Sequence, residues 1–260
     1  MMTTHPKRLA GLLLCLWMSP LLAVAADAPL CLHFSNQEYP PFAGSRLPDG
    51  GIMTSVVTEV FRRAGVQVTY TWYPNNRALQ LARNGDVDGS LGWTPSAERQ
   101  RDLLFSDEVL PFRMVFFQRK GEQYPWRTLA DLAPWRFGVT LGNFYSPAFD
   151  HLVQQGVLKT DESPDDVSNM RKLAARRVEL VPMERESGLY LLRQHLPAQA
   201  AQLQPQDKAY WQAPMGIVIW RHHPQATGVI TRFNRELAAM RRSGELARRL
   251  ADARQRVMAQ

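Results

Sequence analysis

Cysteine is almost missing from this chain: 260 residues contain two, Cys15 and Cys31. Cys15 sits in an N-terminal apolar segment that reads as a removable leader, which leaves Cys31 alone. One cysteine cannot form an internal disulfide, even in an oxidising compartment. The fold must therefore rest on a hydrophobic core, which about 235 residues are enough to supply. Other absences narrow the chemistry. There is no Gly-x-Ser-x-Gly nucleophile elbow and no Gly-Lys-Ser/Thr phosphate loop. No Cys/His cluster exists, and His222 and His223, being adjacent, would point to opposite faces of a strand and could not easily share a metal. No cofactor or metal is expected. Low-complexity tracts and internal repeats are also lacking.

The N-terminus carries a targeting signal. Lys7 and Arg8 form a positive start, Leu9 to Leu22 is a short apolar run, and Ala23-Val24-Ala25 places small residues at a cleavage site. The stretch after it turns polar, so residues 1–25 read as a secretory signal peptide rather than a membrane span. No small residue stands just before Cys15, which argues against a lipid anchor. A periplasmic protein is expected. Formal charge is +7, and removal of Lys7 and Arg8 leaves +5. The excess gathers in Arg232, Arg235, Arg241, Arg242, Arg248, Arg249 and Arg254, on the polar faces of amphipathic helices. A solvated helix face explains it, and secretion argues against a nucleic-acid partner.

What is present is a β-α-β-α-β run. Pro29 to Ser35 reads as a strand ended by Tyr39-Pro40-Pro41-Phe42. Met53, Val56, Val57, Val60 and Phe61 share one helix face, stopped by Gly65. Val66 to Trp72 alternates as a strand, a helix covers about 76–84, and Val87 to Leu91 is the next strand. Such a run predicts an α/β fold with a mostly parallel sheet flanked by helices. Val109 to Arg119 and Met215 to Trp220 are long apolar strands bracketing a second βαβ-type unit. In that unit Ser146 and Pro147 read as N-cap and first residue of a helix, and Val178 to Val181 as a strand with Glu184 at its end. The simplest architecture has two lobes, with two crossover strands as hinge and a cleft between. Lobe 1 takes 26–115 and 212–260, and lobe 2 takes 116–211.

Residues 84–107 stand out. A helix stop, Asn84-Gly85, and a strand lead into a loop with Trp93, Thr94 and Arg99, then Phe105-Ser106-Asp107. Open α/β sheets place ligands just past strand ends, and an Arg there can grip a carboxylate through two parallel hydrogen bonds. The alternative is an Arg in solvent.

Together these segments resemble the polar amino-acid type of periplasmic solute-binding proteins, the two-lobed receptors of ABC importers. The markers are Tyr39-Pro40-Pro41-Phe42, Gly85-Asp86-Val87-Asp88-Gly89, Thr94-Pro95 through Glu98-Arg99, Phe105-Ser106-Asp107, Phe137-Gly138-Val139 with Gly142, Arg177-Val178-Glu179, and Ser243-Gly244-Glu245-Leu246. Their order and spacing cover nearly the whole mature chain. The resemblance implies a monomeric binding protein rather than an enzyme, capturing an amino-acid-like, carboxylate-bearing small molecule for an ABC permease or a membrane sensor. It gives Arg99 and Thr94 the ligand carboxylate, Tyr39 the packing on its side chain, and Glu184 its ammonium. Asn143 and Phe144 fall where lobe 2 offers donors at a helix N-terminus. Trp93 and Asn75 are expected to line the pocket, and Arg77 to be solvated or to reach the cleft. The chain departs from the family's pattern in carrying Glu184 for an Asp, Asn143 and Phe144 for small hydroxyl residues, and Ser96-Ala97 as extra spacing before Glu98-Arg99. The ligand is then not bound to be a standard amino acid. Some proteins of this fold resemble cyclohexadienyl dehydratases, in which a cleft carboxyl is a general acid, a role open to Glu184.

Overall fold

A computed structural model describes Met1 and residues 30–259. The leader reading of residues 1–25 falls, apart from Met1, outside the described residues. The first half begins with strand β1 (Leu30–Gln37), helix α1 (Ile52–Arg63), strand β2 (Val66–Tyr73), helix α2 (Asn75–Asn84) and strand β3 (Gly89–Trp93). β1 lies between β2 and β3, parallel to both. Helix α1 forms because its apolar positions recur at helical spacing, and Ile52, Met53, Val56, Val57, Val60 and Phe61 are all fully buried. Helix α2 ends where Gly85 takes a left-handed conformation (φ 79°), the stop that its sequence predicts. Gly89 is required by close approach, since a Cβ there would lie 2.3 Å from the Val218 carbonyl oxygen.

Strand β4 (Leu103–Phe105) and the long strand β5 (Leu110–Arg119) lead away from this half. The second half contains β6 (Arg136–Thr140), α3 (Pro147–Gln154), β7 (Lys159–Ser163), α4 (Asp166–Ala174), β8 (Val181–Glu184), α5 (Arg185–His195), the short α6 (Pro197–Ala200) and β9 (Leu203–Pro205). Strand β10 (Trp211–Trp220) returns, and α7 (Ala226–Arg242) and α8 (Glu245–Met258) close the chain. Strands run β2-β1-β3-β10-β5-β8, with β4 also on β10 and β9 also on β5, while β6 and β7 form a separate parallel pair. β5 and β10 pair antiparallel over Leu110–Met114 and Trp211–Met215, so both long strands pass between the halves side by side.

Two differences from the sequence reading have physical causes. The eight-stranded sheet is mixed rather than mostly parallel, because β10 runs antiparallel to β3, β4 and β5, and β5 runs antiparallel to β8 and β9. The strand expected at Val178 to Val181 starts at Val181 and runs to Glu184, while Leu180 makes only an isolated bridge to Phe137.

The core is divided. One cluster joins α1, α7 and α8 to the β1-β3-β10 face through Phe34, Phe61, Ile217, Phe233 and Leu237. A smaller one sits under α2, with Ala78, Ala82, Trp93, Leu103 and Val218. In the second half, Phe116, Phe137 and Phe149 centre one cluster, and Val115, Phe117, Met170 and Leu173 another. Of the C-terminal arginines, Arg235, Arg241, Arg242 and Arg248 are exposed, as a solvated face predicts, while Arg249 and Arg254 are half-buried in ion pairs. Arg249 bonds Glu59 and Glu245, Arg63 joins the same carboxylates, and Arg254 reaches Glu186 on α5 of the other half. Cys31 lies in β1 but is exposed, its Sγ 3.4 Å from the Gln67 side-chain oxygen. Among the described residues, no helix is long and apolar enough to cross a membrane.

Candidate functional site

Strand β3 ends on Trp93, and Arg99 opens a single 3-10 turn after the intervening loop. The loop folds back on itself: Ser96 Oγ accepts from the Arg99 backbone N–H at 3.2 Å, and Arg99 Nη1 donates to the Thr94 carbonyl at 2.8 Å and to Thr94 Oγ1 at 3.1 Å. The guanidinium stands 5.3 Å from the Trp93 ring centroid, close enough for a cation–π contact. Trp93 is itself 5 % exposed and donates Nε1–H to Ser90 Oγ at 2.8 Å. Trp93 thus forms a buried platform beneath Arg99. Burial lowers the Arg99 pKa, with Glu98 opposing that and Arg83 adding to it. No carboxylate pairs with Arg99 among the described residues, whereas nearby Arg83 is taken by Glu98 and Asp102. A half-buried guanidinium with donors to spare can receive a planar anion.

Tyr39 lies just beyond β1. It stacks on Phe42 (5.6 Å between centroids) and approaches Phe112 of β5 (6.5 Å). Its hydroxyl meets the Ser187 side chain, and its pKa is raised by burial and by the charges of Glu184 and Asp166. Ser187 Oγ also donates to the Pro40 carbonyl at 3.1 Å, so the tip of α5 touches the Tyr39 loop across the two halves.

Glu184 caps α5, accepting the Ser187 N–H at 2.8 Å, and is 3 % exposed. Burial, with Glu186 adding repulsion, pushes its pKa up to about 7, against the lowering effect of the Ser187 hydrogen bond. Desolvation of the charged form is the cause.

Asn143 and Phe144 stand just ahead of a helix N-terminus. Helix α3 begins three residues beyond Phe144, at Pro147, with Ser146 as its cap. The Asn143 N–H is spent on the Thr140 carbonyl at 3.1 Å. The N–H groups of Tyr145 and Ser146 go to Asp150 Oδ2, and that of Phe149 to Ser146 Oγ. The N–H groups of Asn143, Tyr145, Ser146 and Phe149 thus have partners within the chain. Phe144 is 64 % exposed, its ring edge-on to Trp211 of β10 at 6.0 Å. Asn75 opens α2, its side chain outside what is described. Arg77 is exposed, 5.9 Å from the Tyr73 ring centroid, in line with the solvated alternative.

The structure adds residues that sequence reasoning missed. Asp166 opens α4, and its Oδ1 accepts from Thr140 Oγ1 at 2.5 Å, while Asn169 Nδ2 donates to the same Thr140 oxygen at 2.9 Å. Burial raises the Asp166 pKa. Tyr210, just before β10, stacks on Phe116 (4.3 Å, 11° between planes), and its buried hydroxyl has no hydrogen-bond partner. The Asp165-Asp166 pair ahead of an apolar helix pattern is a cap signal that could have drawn attention to Asp166. Nothing local marks Tyr210. Among the described residues no group of three or more His, Cys, Asp or Glu is placed to hold a metal.

These features coincide with a known class. Residues 34–252 match the model of the bacterial extracellular solute-binding proteins, family 3, and the chain belongs to that family. Solved structures agree in fold. The GluR0 ligand-binding core from Nostoc punctiforme, in complex with L-glutamate, is 16 % identical, with TM-score 0.63, covering 85 % of this chain and 98 % of its own. An arginine third-transport-system periplasmic binding protein from Legionella pneumophila is 18 % identical, with TM-score 0.64 and coverage of 86 % and 99 %. A histidine kinase sensor domain with similarity to periplasmic binding proteins is 18 % identical, with TM-score 0.65 and coverage of 85 % and 95 %. No curated protein sequence matches the chain.

Proposed function

We propose that this protein captures an amino-acid-like zwitterion in a cleft between lobe 1 (26–115 and 212–260) and lobe 2 (116–211). The carboxylate sits on Arg99 and Thr94, the ammonium on Glu184, and Tyr39 packs against the ligand's body. Trp93 holds Arg99 from below, while Asn75, Asn143 and Phe144 stand at the periphery. Closure is a hinge motion through β5 and β10. The protein works in the periplasm after loss of its leader and hands its cargo to an ABC permease, or presents its closed form to a membrane sensor. The observation that carries this reading is the half-buried Arg99, seated on Trp93 and unpaired with any described carboxylate. Family membership and the amino-acid-binding neighbours support it. The test is calorimetry with a panel of amino acids: Arg99→Ala loses binding of every carboxylate ligand, and unchanged affinity overturns the assignment.

One observation favours a second reading. A carboxyl held at about 7 by burial is substantially protonated at neutral pH, as a general acid must be. Turnover of prephenate or arogenate by the purified protein, lost in Glu184→Gln, would establish a dehydratase of this fold in place of a binding protein.

A further inference from the structure

Two arginines come together at the hinge with nothing to neutralise them. The antiparallel β5–β8 ladder ends on the Met114–Glu184 pair. Glu184 keeps an extended backbone (φ −63°, ψ 135°), so Arg185 continues the line of β8 by one step and comes alongside Arg113. Side chains alternate along β5, which puts Arg113 on the face of Val115 and Phe117 and leaves Met114 and Glu184 on the other. Arg185 belongs to the helix stripe that covers the Arg113 face. It shares that stripe of α5 with Gly188 and Leu192. A Cβ at Gly188 would lie 2.3 Å from the Phe117 ring, and Leu192 packs with Val115 and Phe117.

Both arginines are half-buried, and Arg113 Nε and Arg185 Nη1 are shut off from solvent with no hydrogen-bond partner. Neither arginine forms an ion pair or a side-chain hydrogen bond among the described residues. The neighbouring carboxylates are committed elsewhere: Glu186 gives both oxygens to Arg254, and Glu184 accepts the Ser187 N–H. Arg119, further along the same face of β5, shows how a buried guanidinium is otherwise satisfied. It donates to Glu122 and, at 2.7 Å each, to the carbonyls of Leu173 and Val178. Arg113 and Arg185 have no such acceptors. Like charges side by side across a ladder destabilise it, and a buried donor without an acceptor adds its own cost.

We propose that Arg113 and Arg185 bind a small dianionic oxyanion, of the phosphate or sulfate type, at the hinge. Two planar guanidinium forks match the oxygens of such a group, and its two charges balance theirs. A monoanion such as chloride balances one charge and offers no pair of oxygens. The site lies across the sheet from Glu184 and apart from Arg99, so it stands whether or not the cleft reading holds. Arg113 is on one crossover strand, opposite Gln212 of the other, and Arg185 opens α5 of the second half. The bound oxyanion therefore ties the crossover strands to lobe 2.

Thermal unfolding and calorimetry of the purified protein in sodium sulfate, phosphate or chloride, at equal ionic strength, test the site. About 10 mM sulfate or phosphate should raise the unfolding midpoint by about 3 °C or more over chloride, with a single oxyanion bound per chain. Arg113→Gln and Arg185→Gln should each weaken oxyanion binding at least about tenfold. In chloride alone the same variants should melt no lower than wild type, because a repulsion is relieved; a merely structural pair of side chains would give the opposite. Arg99→Ala should keep the full sulfate response. An equal response to chloride, a response untouched by both Gln variants, or one lost in Arg99→Ala would each overturn the site.

Discussion

The two walls of the proposed cleft solve opposite electrostatic problems. On the lobe 1 side a single guanidinium is built into a loop: Thr94 and Ser96 fix its backbone and one nitrogen, Trp93 supports its plane, and further N–H donors remain available. On the lobe 2 side, carboxylates stand at helix starts, Glu184 accepting from the Ser187 N–H and Asp166 from the Thr140 hydroxyl, without a described cation partner. Each wall is imperfect alone. An unmatched cation on one side and unmatched carboxylates on the other are what a ligand of mixed charge would complete, and a bridging ligand gives the halves a reason to close. Preorganisation of this kind supplies specificity more than raw affinity, because desolvation of each charge offsets much of the attraction.

The largest expected effect comes from changing the geometry of the Arg99 wall without removing its charge. Arg99→Lys keeps a cation but loses the fork that holds a carboxylate at two points. Charged hydrogen bonds of this type contribute about 2–3 kcal/mol, so affinity for the ligand that the wild type binds should fall about 100-fold, read by calorimetry. Equal affinity in the Lys variant would mean that the lobe 1 wall acts as a point charge, with no geometric difference from the other wall.

The next effect concerns protons. Glu184 normally titrates near 4.5 and is held at about 7 by burial. Its folded pKa is raised, so folding favours the protonated form. The stability tied to this group is complete below pH 4.5 and is lost as pH rises through 7, a change of about 3 kcal/mol at full extent. Urea melts of the ligand-free protein between pH 4.5 and 8 should show that decline, and Glu184→Gln should flatten it. A ligand ammonium favours the charged carboxylate, so binding near pH 6.5 should release a proton, visible as a dependence of the calorimetric heat on the buffer. No proton release would separate Glu184 from the ammonium.

Much of this contrast was legible in the sequence on the lobe 1 side and little on the other. Arg99, Thr94 and Trp93 lie within seven residues, at and just past the end of a strand that follows the Asn84-Gly85 helix stop. The helices α1 and α7 also follow from their apolar spacing, because each has one partner face. Strand β7 was not readable: Lys159-Thr160-Asp161-Glu162-Ser163 is polar throughout and paired on one side only, so no alternation marks it. Tyr210 is meaningful only because the chain returns to stack it on Phe116. Asp150, one turn into α3, reaches back and takes the N–H groups of Tyr145 and Ser146, a pairing that no local pattern marks. Local pattern reveals periodic packing. It does not reveal which side chain satisfies which donor.

A smaller effect tests whether Trp93 is a support or a contact. Trp93→Phe removes the Nε1–Ser90 bond and keeps an aromatic face under Arg99. One buried hydrogen bond is lost, so stability should drop about 1 kcal/mol, while affinity stays within about threefold. An affinity loss beyond tenfold at little cost in stability would move Trp93 onto the ligand itself.

The smallest expected change is at the edge where the halves meet. Arg254 of α8 holds Glu186 of α5 at 2.8 Å, and both side chains retain access to solvent. Pairs of that kind contribute little to folding, so Arg254→Ala should alter the urea midpoint by less than about 1 kcal/mol. Its consequence should lie in the balance between open and closed forms, because the two residues belong to different halves and Ser187, next to Glu186, bonds the Tyr39-Pro40 loop. Loosening that edge in the free protein favours the open form, which small-angle scattering would read as a larger radius of gyration, recovered when ligand bridges Arg99 and Glu184. A radius identical to wild type with and without ligand would show that closure depends on the two charged walls and not on the contacts at their rim.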